Sequence, residues 1–373
     1  MKVRRTLIIS GVLLAAACLL QIMARQAPGF GQWYAVNIYP FFVNTYARFT
    51  SIFPFCLLEW VIIAGILWVV FLAARGVVRT VRGKESLGRM AANGGLFVLL
   101  TASVLFFMLT VLCSVNYHRD EFSKTAGFEI RRHTTEELAE LCVSLANEVN
   151  EASRQVERDG ERNLILPDST VQDAIDAMEH LGTIYESLGG YYPKPKKVLF
   201  SDAMSYQSLM GLYSAFTLEA MYNGDMMTYN MPDTMCHELS HMKGFMREDE
   251  ANFIAYLACR ESGNPVLQYS GAMNAFVYAT NQLYADAGSQ AYSAVFALVD
   301  EEPLAELGRN NEFWAQFEGP VKEVSKAVND VYLKANDQED GMKSYGRMVD
   351  LLLAEYFDES VSDKSASDKP VSE

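Results

Sequence analysis

Apolar and polar positions divide the chain near residue 117. Before that point three apolar runs, 7–23, 53–74 and 95–115, approach the ~20 residues a helix needs to cross a bilayer, and Glu59 is the one charge within them. The first run is too long for a removable signal peptide, and two more follow it. Beyond residue 117 the period becomes that of amphipathic helices. Thr134-Thr135-Glu136-Glu137 is a capping signal for a helix over 132–159, with Leu138, Leu141, Val143, Leu145 and Val149 on its apolar face. A second helix should start at Pro167 and end at Gly189-Gly190. Residues 197–201 and 212–222 read as short strands. From Pro232 onward the pattern is helical, broken at Gly244, 263–265, 286–288, 319–320 and 340–341. The Ser/Asp/Lys-rich end, 360–373, reads as a disordered tail.

The expected fold class is therefore mainly α: three N-terminal transmembrane helices, then a helical domain with a small β element. The boundaries are 1–117 for the membrane domain, 118–359 for the soluble domain and 360–373 for the tail. Charge sharpens this division. The chain is 50% apolar with a net charge of −15, yet residues 1–117 hold ten Lys/Arg against two acids. The remainder is strongly acidic, which makes nucleic acid an improbable partner, since phosphate binding needs a basic footprint. Lys2, Arg4 and Arg5 precede the first run, and Arg75, Arg79, Arg82, Lys84 and Arg89 lie between the second and third. Basic segments stay in the cytoplasm, so a multi-pass protein of the cell membrane is expected, with everything after residue 117 outside. Residues 26–52, aromatic and with Arg48 as their single strong base, suit a loop at the outer interface. Six cysteines form no paired framework.

One motif carries chemistry: His237-Glu238-Leu239-Ser240-His241. On a helix, positions i and i+4 fall about 40° apart, so both imidazoles can hold one metal ion, here Zn2+. Glu238 points to the neighbouring side, where it can take a proton from a metal-bound water. Met235, Cys236, Leu239 and Met242 form the core-facing stripe. Pro232 suits the helix start and Gly244 its stop. Lys243 stands where the longer zinc-peptidase pattern prefers an apolar residue. A catalytic zinc usually has three protein ligands and a water. No third histidine follows at a suitable spacing, so a carboxylate from Glu248, Asp249 or Glu250 is expected. Glu248 shares a face with Asn252, which could hold a ligand histidine by its second nitrogen. That face continues through the small residues Ala251, Ala255 and Cys259. Glu250 stays open as an alternative, because only six residues separate His241 from Glu248 and a tight hairpin could bring Glu250 level. His118, His133 and His180 read as ordinary surface or interfacial residues.

The stretch from His237 to Tyr256 resembles an uncharacterised bacterial membrane-protein family, domain of unknown function 3810. Phe216-Thr-Leu-Glu-Ala220 carries the likeness toward the motif, and Tyr332 to Asn336, Gly341 and Ser344 to Asp350 extend it. The resemblance implies a membrane-bound, zinc-peptidase-like protein and no particular substrate. The Glu248 spacing also resembles that of glutamate-liganded zinc peptidases, whose pattern ends in Asp where this chain has Asn252. In those enzymes a strand edge beside the zinc binds the substrate backbone. Residues 213–219, with Phe216, Thr217 and Glu219, are placed to be that strand. The expectation is a membrane-anchored metallopeptidase that cleaves a peptide or protein substrate. The alternative is a zinc-binding membrane sensor that does not catalyse.

Overall fold

A computed structural model of the chain describes residues 2–84, 86–336, 338 and 345–357. The chain forms two compact units, one of residues 1–119 with 213–219, the other of residues 120–212 with the chain from 220 onward. The 213–219 hairpin thus joins the first unit rather than the second, where the sequence reading placed it. The expected tail over 360–373, the break at 340–341, and Gly341 and Ser344 of the family resemblance lie outside the described residues.

The first unit contains α1 (Lys2–Gln26), α2 (Phe30–Asn37), α3 (Tyr39–Phe42), α4 (Arg48–Thr50), α5 (Leu57–Val81) and α6 (Leu87–Leu112). Among the described residues, three helices are long and apolar enough to cross a membrane: Val3–Gln26, Leu57–Val81 and Leu87–His118. They match the three apolar runs. Two hydroxyls inside these helices bond to their own helix backbone. Ser103 and Thr110 donate to the carbonyls of Leu99 and Phe106, four residues back. Residues 26–52 are helical rather than looped. A π turn, Val43–Ala47, joins α3 to α4, and Trp33, Phe41, Phe49 and Ile52 point outward. Close packing needs Gly31, where a Cβ would lie 2.0 Å from the carbonyl oxygen of His118. The Tyr213 hydroxyl donates to the Leu112 carbonyl at 2.7 Å, and Tyr46 donates to Phe216 at 2.7 Å. Glu219 is buried, and its two carboxylate oxygens each accept a backbone N–H, of Leu57 and Leu58, at 2.9 Å. It caps α5, supplying acceptors and negative charge to an otherwise open helix N-terminus.

The second unit contains α7 (Phe122–Ala126), α8 (Thr135–Ser153), α9 (Thr170–Ile184), α10 (Ser201–Tyr206), α11 (Met231–Met242), α12 (Glu248–Glu261), α13 (Pro265–Phe296), α14 (Glu301–Ala315), α15 (Pro320–Ala335) and α16 (Tyr345–Tyr356). The strands are β1 (Lys196–Lys197), β2 (Gly211–Ser214) and β3 (Glu219–Tyr222), in the order β1-β3-β2 with β1 parallel to β3. The expected capping box starts α8: Thr134 Oγ accepts from the Glu137 N–H, and the Glu137 carboxylate accepts from the Thr134 N–H. The helix stops at Ser153 rather than 159. A turn follows in which Asp159 accepts from the N–H groups of Glu161 and Asn163.

The strand assignments need correction. Only Lys196–Lys197 is strand in the first segment, which then enters α10. The expected single strand over 212–222 is two strands, β2 and β3, joined by a turn over 215–218 in which Leu218 has φ 47°. Alternating apolar residues fit a continuous strand equally well, so the turn, which has no Gly or Asn at its left-handed position, escaped detection. Phe216 and Thr217 therefore lie in a turn, and Glu219 caps a helix. Of the three residues expected on a substrate strand, Glu219 alone lies in a strand, as the first residue of β3.

The core of this unit gathers Cys236, Leu239 and Met242 of α11, Phe253, Ile254 and Leu257 of α12, and Met273 and Phe276 of α13, all fully buried. Small residues bring the helices close. A Cβ on Gly271 of α13 would meet the Cys259 Cβ at 2.6 Å, and Cys259 Sγ lies 4.0 Å from Cys236 Sγ. All six cysteines are free thiols. Polar anchors hold the periphery. Glu306, buried on α14, accepts from the Leu164 N–H at 3.1 Å and from the Tyr269 hydroxyl, and lies 3.5 Å from the Arg158 guanidinium. Arg260 of α12 grips Glu355 of α16 through two parallel bonds of 2.8 and 2.7 Å.

Candidate metal centre

The centre is assembled by two successive helices and the turn between them. Pro232 sits in the first turn of α11, where its missing N–H costs nothing. The helix ends at Gly244, whose φ of +83° is a left-handed conformation that other residues adopt only at a cost. The Phe245 N–H then bonds the Ser240 carbonyl, at 3.3 Å, closing the helix end. Four residues on from His241, the Phe245 carbonyl turns back and lies 2.7 Å from His241 Nδ1. That contact fixes the ring and leaves Nε2 pointing away from the turn. The Phe245 side chain is buried edge-on against Phe122, at 5.4 Å between ring centres, which immobilises the carbonyl. The role expected of Asn252, holding the second nitrogen of a ligand histidine, thus falls to a backbone carbonyl for His241. Asn252 itself is buried on α12.

Three donor atoms converge. His237 Nε2 is 3.1 Å from His241 Nε2 and 3.3 Å from Glu248 Oε2, and His241 Nε2 is 3.9 Å from Glu248 Oε1. All three ligand atoms lie within 4.8 Å of one another, the one such group among the described residues. Ligand atoms at about 2.0–2.1 Å from a tetrahedral zinc stand roughly 3.3 Å apart, so the trio fits the ion with side-chain adjustments of a few tenths of an ångström. Glu250 is engaged elsewhere. Its Oε1 accepts from the Phe122 N–H at 2.7 Å and from Arg247 at 3.1 Å. Of the two acids left open by the sequence, Glu248 is the one that lies beside the two histidines. Asp249 pairs with Arg347 at 3.2 Å.

The electrostatics suit a cation. Burial pulls His237 down, but the hydrogen-bonded Glu248, with Glu238 and Asp233 nearby, outweighs it and raises the imidazole to about 9. Burial pushes Glu248 up, and the two histidines overcome it, holding the carboxyl at about 2. His241 is lowered to about 4, by burial first, with Glu248 opposing. Without metal, the trio therefore keeps a proton on His237 beside a carboxylate. A cation bound there would have to displace that proton, so its affinity would fall as pH falls.

Glu238 is 4% exposed and its Oε2 has no hydrogen-bond partner. Burial, with the Glu248 charge adding, raises its carboxyl to about 8, while His237 opposes. A buried carboxylate without a partner is costly, which is why burial favours its protonated form. Sequence reasoning missed the residue that shapes this carboxylate's surroundings. A Cβ at Gly211 would fall 2.2 Å from Glu238 Oε1, so only glycine lets the start of β2 lie against it. Asp233, one turn before His237 and on the same helical face, was also missed, although its i, i+4 spacing was visible. It is buried, accepts from Asn274 Nδ2 at 3.0 Å, and adds negative charge behind His237. Lys243, the departure from the peptidase pattern, is not in the core. Its ammonium donates to the carbonyls of Gly189 and Tyr191 at 2.8 and 3.0 Å and sits over the Tyr192 ring.

A family model described as protein of unknown function (DUF3810) matches residues 34–353. No curated protein and no solved structure matches the chain.

Proposed function

We propose that this chain, which belongs to the DUF3810 family, is a membrane-anchored zinc-dependent peptidase. The observation that carries the reading is the convergence of His237, His241 and Glu248 around one point, with a buried, unpartnered Glu238 carboxylate on the same helix. His237 and His241 would bind through Nε2 and Glu248 through a carboxylate oxygen. Zinc bound there would lower the pKa of a coordinated water toward neutrality and polarise a carbonyl. Glu238 would take the water's proton as it attacks a peptide carbonyl and return it to the leaving amine. A carboxyl whose affinity for protons is raised by burial suits that exchange, although a cation beside it would moderate the rise. Phe245 and Gly244 keep His241 in register, and Gly211 leaves room at the carboxylate. The edge of β2 at Gly211 takes over the substrate-strand role first expected of residues 213–219, because its backbone lies against Glu238.

The test is metal content. The purified full-length chain should hold about one zinc per molecule, and His237→Ala should hold almost none. A wild-type chain without zinc would end the proposal, and a zinc that no variant of the trio displaces would move the site elsewhere. Zinc binding with no cleavage in a broad peptide screen would favour the sensor. The basic segments flanking the apolar helices support a cytoplasmic amino end and an extracytoplasmic site. A reporter active only outside the cytoplasm, fused after residue 125, should be active; silence there with activity at residue 84 reverses the orientation.

A further inference from the structure

One helix of the second unit is built inside out. On α15 the least exposed side carries Lys322, Asn329 and the buried Leu333, whereas Val321, Val324, Val328 and Val331 are 53%, 63%, 63% and 68% exposed. Four outward valines do nothing for the helix itself, because β-branched residues are weaker helix formers than the alternatives. Their spacing of three, four and three residues gathers them within an arc of about 80°. These are the first and fourth positions of a heptad, the seam along which helices pair. The positions beside the seam are Ser325, Ala327 and Tyr332, small or uncharged. Lys334 is the single charge there, and it is tied to Asp330 at 2.6 Å.

We propose that this face of α15 docks against the same face of a second copy of the chain, the two helices antiparallel about a twofold axis. The valine spacing reads the same in both directions about residue 326. A twofold axis there sets Val321 against Val331 of the second copy, and Val324 against Val328. Self-complementarity of this kind is what a twofold contact requires. The same arrangement keeps the two Lys334 side chains roughly 24 Å apart along the axis, so no like charges meet. A lipid surface fits less well: the face lacks Trp, Phe and Leu, and the polar side mixes Glu323 and Asp330 with its lysines. Two heptads are few for a freely diffusing coil. Copies sharing one bilayer start from a much higher effective concentration.

The experiment uses the full-length chain in phosphatidylcholine liposomes, with Cys18→Ala removing the exposed native thiol. Chains carrying Val324→Cys are co-reconstituted with chains carrying Val328→Cys and oxidised with copper phenanthroline. The mixture should give at least tenfold more disulfide dimer than either chain alone or than Glu323→Cys. Equal yields, or none, overturn the proposal. In a second measurement, energy transfer between labelled copies should be lost in Val324→Glu/Val328→Glu while circular dichroism and the thermal melt stay unchanged, since both side chains face outward. Transfer that survives the double substitution overturns it. So does a stripe cysteine that is shielded from a water-soluble maleimide yet never cross-links, which would assign the face to lipid.

Discussion

Glu238→Gln should keep about one zinc per chain and lose at least a hundredfold in peptide hydrolysis. Glutamine has the size of glutamate, and Glu238 is not one of the three converging donors, so the ligand set stays whole. What disappears is a group that can accept a proton. General-base removal costs on the order of 10²–10⁴ in rate, and a neutral amide cannot substitute. The fold should hold: burial already favours the neutral form of this carboxyl, and the amide has the same size, so stability should hardly change. Zinc content, steady-state cleavage of any peptide found in a screen, and a thermal melt read the three parts separately. Undiminished cleavage with zinc retained would remove Glu238 from the mechanism.

Glu248→Ala should empty the site, and Glu250→Ala should leave it filled. Loss of one of three protein ligands should weaken zinc by more than the 10–100-fold usual for an outer partner. Glu250 contributes differently. It holds the Phe122 N–H and the Arg247 guanidinium from inside the core, so Glu250→Ala leaves a buried donor unsatisfied and should cost about 1–3 kcal/mol of stability. The two variants thus separate by metal content on one axis and by melting temperature on the other. Zinc kept by Glu248→Ala and lost by Glu250→Ala would transfer the ligand role.

The division between what sequence and tertiary structure each decide runs through particular residues. The three apolar helices were legible because a bilayer-length run with at most one charge has few other uses, and the capping box at Thr134 and Glu137 because both partners lie within one turn. Pro232, Gly244 and the i, i+4 histidines were legible for the same reason: their geometry is helical and local. The stretch 212–222 was misread, since a turn over 215–218 built on ordinary residues leaves the alternation of a strand intact. The choice of Glu248 over Glu250 was visible only as a preference. In the structure α12 turns Glu250 toward Phe122, a residue 128 positions away, and leaves Glu248 beside the two histidines. The Phe245 carbonyl at His241, and Gly211 against Glu238, could not be read at all. A backbone atom carries no side-chain signature, and a glycine's neighbour across the fold is set by packing rather than by spacing. The sequence alone thus determined the membrane-length helices and the identity of the histidine pair, because both depend on contacts within a few residues. The tertiary structure decided which carboxylate joins that pair, what orients its ring and what lies against Glu238, because those contacts join segments far apart in the chain.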